Sequence, residues 1–194
     1  MNSDSKQFLS ERTTLTMEVT MHKNNTHKGF NEKQLSSMYQ AANIAEELVS
    51  NSYQLSSRQW QKSPYEIKTL VDLDNDEVVD IPYAQLVRYQ ARKRKSELSS
   101  ASFDYYKICV QDHNILYAYH NNQGLNLFPF FLYIMTHELI HIVRFSRFLH
   151  LFHATEHERL IEEQKVHNKT KELLRNLRIS SLEPVLKFKG WMMN

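Results

Sequence analysis

The chain has 194 residues, of which 41% are hydrophobic and 24% charged, with a formal net charge of +2. That length suits one domain with a core of useful size, and so small a charge does not by itself imply a nucleic-acid partner or a membrane surface. The single cysteine, Cys109, excludes an internal disulfide framework and fits a reducing, cytoplasmic compartment.

With only 3 Gly and 4 Pro the chain has few tight turns, which favours a mainly helical fold. Residues 1–28 are polar, without a sustained apolar period, and read as a flexible arm; nothing in them resembles a secretory leader. From Asn31 a helical pattern begins, with Leu35, Met38, Ala42, Ile44, Ala45 and Leu48 at three- and four-residue spacing. Asn31 and Gln34 form a capping-box pair, and the helix is expected to reach about Leu55. After the break at Ser63-Pro64, Ile67–Leu73 reads as a short strand, and a helix is expected from Pro82 to about Leu98, followed by a Ser-rich linker over 96–102. Phe103–Val110 and Ile115–Tyr119, rich in aromatic and β-branched residues, read as a hairpin joined at 111–114. A helix over 128–148 is apolar on nearly every side, which marks it as the central buried helix. Its most apolar part, Leu125–Met135, is too short and its continuation too polar to span a bilayer. A last helix is expected over 155–177, and the tail, 181–194, with Pro184 and Gly190, reads as irregular. The expectation is an α+β, mainly helical fold, in which a single domain over 29–180 carries a small antiparallel sheet or hairpin packed on the central helix.

Of the 10 histidines, six lie between positions 137 and 167. Within this stretch, Thr136-His137-Glu138-Leu139-Ile140-His141 contains H-E-x-x-H. Residues four apart on a helix share a face, so His137 and His141 can reach one zinc ion at about 2.1 Å. Glu138 then stands beside the metal, placed to take a proton from a water whose acidity the metal raises. A chance match on a His-rich helix is the competing reading, but two imidazoles and a carboxylate inside an apolar helix are costly to bury without partners.

The motif and its setting resemble the zincin metallopeptidases: a hairpin over 103–119, a buried helix bearing H-E-x-x-H, and a later helix. The resemblance covers residues 103–177 and implies Zn2+ as cofactor and a peptide or protein as substrate. It also implies an edge strand that aligns the peptide, a role that falls by analogy on Ile115–Tyr119. The extended metzincin pattern is absent, since Arg144 and Arg147 stand where Gly and His would be. The chain is therefore similar to the gluzincin branch, in which a Glu from the following helix completes the site. Glu156, Glu158, Glu162 and Glu163 are available. Glu163 and His167 fall on an apolar stripe with Leu160, Thr170, Leu174 and Leu177, whereas Glu162 lies beside Val166 and Leu173. Glu163 is the first choice of third ligand. His167 is read as a catalytic group that stabilises an oxyanion, with orientation of Glu163 and direct ligation as its alternatives.

Two other functions compete with a zinc peptidase. The first is a zinc-stabilised, non-catalytic regulatory or interaction domain with four protein ligands; the second is a helical protein with no metal. The basic run Arg88, Arg92, Lys93, Arg94 and Lys95 reads as a solvated helix end, with contact to nucleic acid as the weaker alternative. Tyr105, Tyr106, Tyr117 and Tyr119 are expected to pack across the hairpin, His113 to be exposed at its turn, and Cys109 to be a buried small side chain.

Overall fold

The computed structural model describes residues 13–14, 28–92, 102–147 and 155–192. It is an α+β, mainly helical fold, as expected. The first helix, α1 (Glu32–Tyr53), starts at the predicted cap: the Asn31 side chain accepts from the Gln34 amide at 3.0 Å, and Gln34 Oε1 accepts from the Asn31 amide at 2.9 Å. Met38, Ala41, Ala42, Ala45 and Val49 are its buried residues, one stripe at helical spacing. Three alanines on that stripe let α1 approach its neighbour closely. The neighbour is α4 (Leu127–Ser146), in which all but four of the twenty residues are buried. Between these helices in sequence lie a one-turn helix, α2 (Ser57–Trp60), and strand β2 (Tyr65–Lys68). The predicted strand over 67–73 is thus shorter and earlier, and Leu70–Asp72 forms a 3-10 turn.

Two sequence expectations fail for related reasons. The segment after Pro82 is a strand, β3 (Ala84–Arg92), and not a helix. It pairs antiparallel along its whole length with β4 (Ser102–Val110), from Ala84 opposite Val110 to Arg92 opposite Ser102. The local sequence contains good helix formers, and the pairing with β4 overrides them. The hairpin is therefore β3–β4. Ile115–Tyr119, the expected second arm, belongs to helix α3 (Asp112–Asn121). The polar residues read as a turn are instead buried joints. The Asp112 carboxylate accepts from the Phe30 and Leu70 amides at 2.9 and 3.1 Å. Gln111 donates to the Glu77 carbonyl, and Asn114 to those of Val79 and Pro82, each at 2.8–2.9 Å. His113, half-buried, also lies against the Val79 carbonyl, at 3.1 Å. Of the four tyrosines expected on the hairpin, Tyr105 and Tyr106 lie on β4, whereas Tyr117 and Tyr119 lie on α3.

The sheet has the order β1-β3-β4-β2, where β1 is Thr13–Thr14. It is mixed and not purely antiparallel, because β2 runs parallel to β4. Cys109 is fully buried on β4, as expected. The basic run begins on this sheet: Arg88 pairs with Asp104 at 2.9 Å, Arg92 ends β3, and Lys93, Arg94 and Lys95 lie outside the described residues. It is not the end of a helix.

Glu77 is buried beneath the sheet, 2.9 Å from the Lys107 ammonium and 3.2 Å from the Tyr89 hydroxyl. Burial alone would raise its pKa, but the bond from Lys107, the Asp74 amide and the Lys107 charge together hold it below the ordinary value of 4.5. A carboxyl with a depressed folded-state pKa contributes stability above its unfolded value, and that stability is lost as pH falls through the folded value. Glu77→Gln is therefore expected to cost about 2 kcal/mol near neutral pH and to flatten the acid limb of a urea-denaturation series between pH 7 and pH 3.

The C-terminal segment is not an irregular tail. It forms α6 (Leu182–Leu186) and a 3-10 turn (Lys189–Met192) that returns Trp191 to the core. The Trp191 ring stacks on Tyr133 with centroids 4.0 Å apart and planes at 12°, and its N–H donates to the Val185 carbonyl at 2.7 Å. Gly190 is required at this turn, because a Cβ there would collide with the Phe188 ring and the Tyr83 hydroxyl.

Candidate metal centre

Helix α5 (Glu156–Arg175) begins with Thr155 and Glu158 closing a capping box, and it lies against α4. Its buried residues are Glu162, Val166, Thr170 and Leu174: Thr170 and Leu174 are buried as expected, but in the first turns the buried stripe lies one position round, through Glu162 and Val166, and Leu160 is 57% exposed. Glu162 sits on this stripe because Arg144 of α4 holds it in a two-point ion pair: Nη2 donates to Oε2 at 2.8 Å, and Nε donates to Oε1. A carboxylate engaged in this way is an anchor between the helices, and no longer a free third ligand. Rotating the stripe by one residue brings Glu163 and His167 to its flank, facing His137 and His141.

The first-choice ligand set is brought together. The Nε2 atoms of His137 and His141 stand 3.1 Å apart. Glu163 Oε2 lies 3.2 Å from His137 Nε2, and Oε1 lies 3.1 Å from His141 Nε2. Donors about 2.1 Å from one tetrahedral ion are about 3.4 Å apart, so this triangle is close to the edge length a zinc site needs. His167 joins the same cluster: its ring centroid is 4.5 Å from that of His137, against 4.7 Å between His137 and His141, and one ligand atom each from His137, Glu163 and His167 lie within 4.8 Å of one another. Glu156 lines the same groove, exposed at its mouth. Glu158 caps α5, and His150 and His153 lie outside the described residues.

The electrostatics show how strongly this cluster attracts positive charge. Burial works against ionisation of Glu163, but the His141 charge and hydrogen bonds from both histidines hold its carboxyl far below the usual carboxylate range. Burial lowers the affinity of His141 for a proton, yet the charge and hydrogen bond of Glu163 outweigh it and raise its pKa. A proton thus takes the place a cation would take among these atoms. The Nδ1 atoms of His137 and His141 are buried and have no hydrogen-bond partner among the described residues, so the strong interactions of both rings are on the Nε2 side. Two imidazoles and a carboxylate, converging on one point beside a groove, fit zinc by donor type and spacing.

Glu138 is buried, and burial is the main cause of its raised pKa, with His137 and His141 opposing it. No protein hydrogen bond among the described residues holds its carboxyl. It lines a groove of about 200 Å³ whose wall includes Tyr83–Leu86. That wall, at the start of β3, takes the place expected of Ile115–Tyr119. Among the described residues, strand β1 pairs with β3 at Val87 and Arg88, immediately beyond it. Sequence reasoning missed Tyr133 and Trp191, which also line the groove. Tyr133 sits four residues before His137 on the same helical face, and that spacing was a usable signal.

Among the described residues, no helix is long and apolar enough to cross a membrane. No family model, curated protein or solved structure matches the chain.

Proposed function

We propose that this protein is a zinc-dependent hydrolase, a peptidase of zincin type, with zinc held by His137, His141 and Glu163. The observation that carries this reading is the convergence of those three side chains, at 3.1–3.2 Å from one another, beside an unbonded Glu138 in a groove walled by a β-strand. When bound there, zinc supplies a Lewis acid that polarises a carbonyl and makes a water acidic near neutral pH.

The chain's own residues perform the remaining work. Glu138, with a pKa raised by burial, takes a proton from the attacking water and delivers it to the leaving amine. Ala84–Leu86, at the start of β3, offer main-chain groups to an extended peptide, in the manner of strand addition. His167, whose pKa burial and the neighbouring His137 lower to about 3, remains neutral in the groove. The buried Arg144–Glu162 pair fixes α5 against α4, and with it the distance from Glu163 to the two histidines.

Metal content tests the reading directly. Protein purified without added metal or a histidine tag is expected to carry about one zinc per chain, and His141→Ala and Glu163→Ala each to lose it. Zinc added to the metal-free wild type at about one hundred times its dissociation constant should stabilise it by roughly 2.7 kcal/mol, and should stabilise neither variant. A wild type without zinc and without this stabilisation would sink the proposal.

A further inference from the structure

The role of His167 can be taken further through the side chain it touches. Tyr133 is fully buried in α4, and its hydroxyl lies 2.9 Å from His167 Nδ1. Among the described residues that nitrogen is the hydroxyl's only hydrogen-bond partner. The tyrosine ring is held by Trp191, which stacks on it at 4.0 Å, and the His137 ring lies nearly parallel to it at 6.4 Å, with planes at 16°. Its hydroxyl therefore has one direction in which to point.

A bond between a phenol and an imidazole nitrogen can run either way, and burial decides which. If His167 carried its proton on Nδ1 and donated to the phenol, the Tyr133 proton would be left buried without an acceptor. Such an orphaned donor costs about 1–3 kcal/mol. If Tyr133 donates to Nδ1, both groups are satisfied, and the neutral ring must carry its proton on Nε2. The partner of one ring nitrogen sets the state of the other. His167 Nε2 is not among the buried unpartnered atoms, and the residue lines the groove.

We propose that Tyr133, clamped by Trp191, is a positioning residue that fixes His167 as an Nε2–H donor facing the groove. A nitrogen that bears a proton cannot ligate a metal. His167 therefore stands outside the ligand set and donates to the oxyanion that develops on the substrate carbonyl. The catalytic part of the inference rests on the hydrolase reading above; the tautomer does not.

The test is long-range proton–nitrogen correlation spectroscopy on full-length protein with 15N-labelled histidine, recorded metal-free and after addition of zinc alone. In both states His167 should show an unprotonated Nδ1 and a protonated Nε2. Tyr133→Phe should collapse that signature to a mixture of tautomers while zinc stoichiometry is unchanged. In a peptide-hydrolysis assay the same variant should lose about ten-fold in kcat with KM within about two-fold, less than the loss of an oxyanion donor outright. A protonated Nδ1 in the wild type overturns the inference. So does a His167 Nε2 that is unprotonated and shifts on zinc addition, because that identifies it as a ligand. If the tautomer is as stated but no zinc binds, the hydrolase reading fails and the tyrosine's positioning of His167 stands.

Discussion

Glu138→Gln is expected to lower peptide hydrolysis by about three orders of magnitude while leaving zinc stoichiometry as in the wild type. The carboxyl is buried beside His137 and His141 yet has no hydrogen bond to another described side chain, so the amide can occupy its place without disturbing the donors. What is lost is the ability to accept a proton, which an amide lacks at any working pH. Kinetics on a peptide substrate, read together with metal analysis of the same preparations, checks both halves of the expectation. Loss of zinc together with activity would mean that Glu138 supports the metal; retained activity would mean that another group takes the proton.

Trp191→Ala is expected to be the most destabilising single change in the C-terminal segment. The ring is 4% exposed, stacks on Tyr133, meets Phe130 at 4.9 Å and Tyr83 at 5.4 Å, and donates its N–H to a main-chain carbonyl. Removing a buried aromatic of this kind costs about 3–5 kcal/mol. In a domain of this size that corresponds to a fall in Tm of about 10 °C. Thermal unfolding followed by circular dichroism measures it, with Trp191→Phe expected to recover most of the loss. A Tm within about 2 °C of the wild type would show that the segment contributes little to the core.

Much of this organisation was legible in the sequence where the signal was local. The α1 start follows from Asn31 and Gln34, the α5 start from Thr155 and Glu158, and α4 from an apolar run that only a core helix can bury. His137, Glu138, His141 and Glu163 could be named from spacing and from the resemblance, and the structure places these four together. The misreadings share one cause. Strand β3 is made by pairing with β4, and α3 is anchored by contacts of Gln111, Asp112 and Asn114 with residues far upstream. Neither leaves a local pattern. The role of Glu162 was hidden for the same reason, since its partner Arg144 lies on another helix. Trp191 was passed over because Pro184 and Gly190 suggest disorder when the ring they deliver is not in view.

The four groups proposed to act on metal and proton come from two successive helices, whereas a wall of the groove comes from β3, a strand far upstream that is held by sheet pairing. The groove wall and α4 are about fifty residues apart in sequence, roughly twice the 26 that separate His137 from Glu163, so the groove closes over a longer loop than the donor cluster does. Strain or partial unfolding that begins in the sheet would open the groove on its substrate side while the paired helices keep the donors assembled. Cation retention and substrate alignment are thus mechanically separable in this fold, and a chain that has lost one can still display the other.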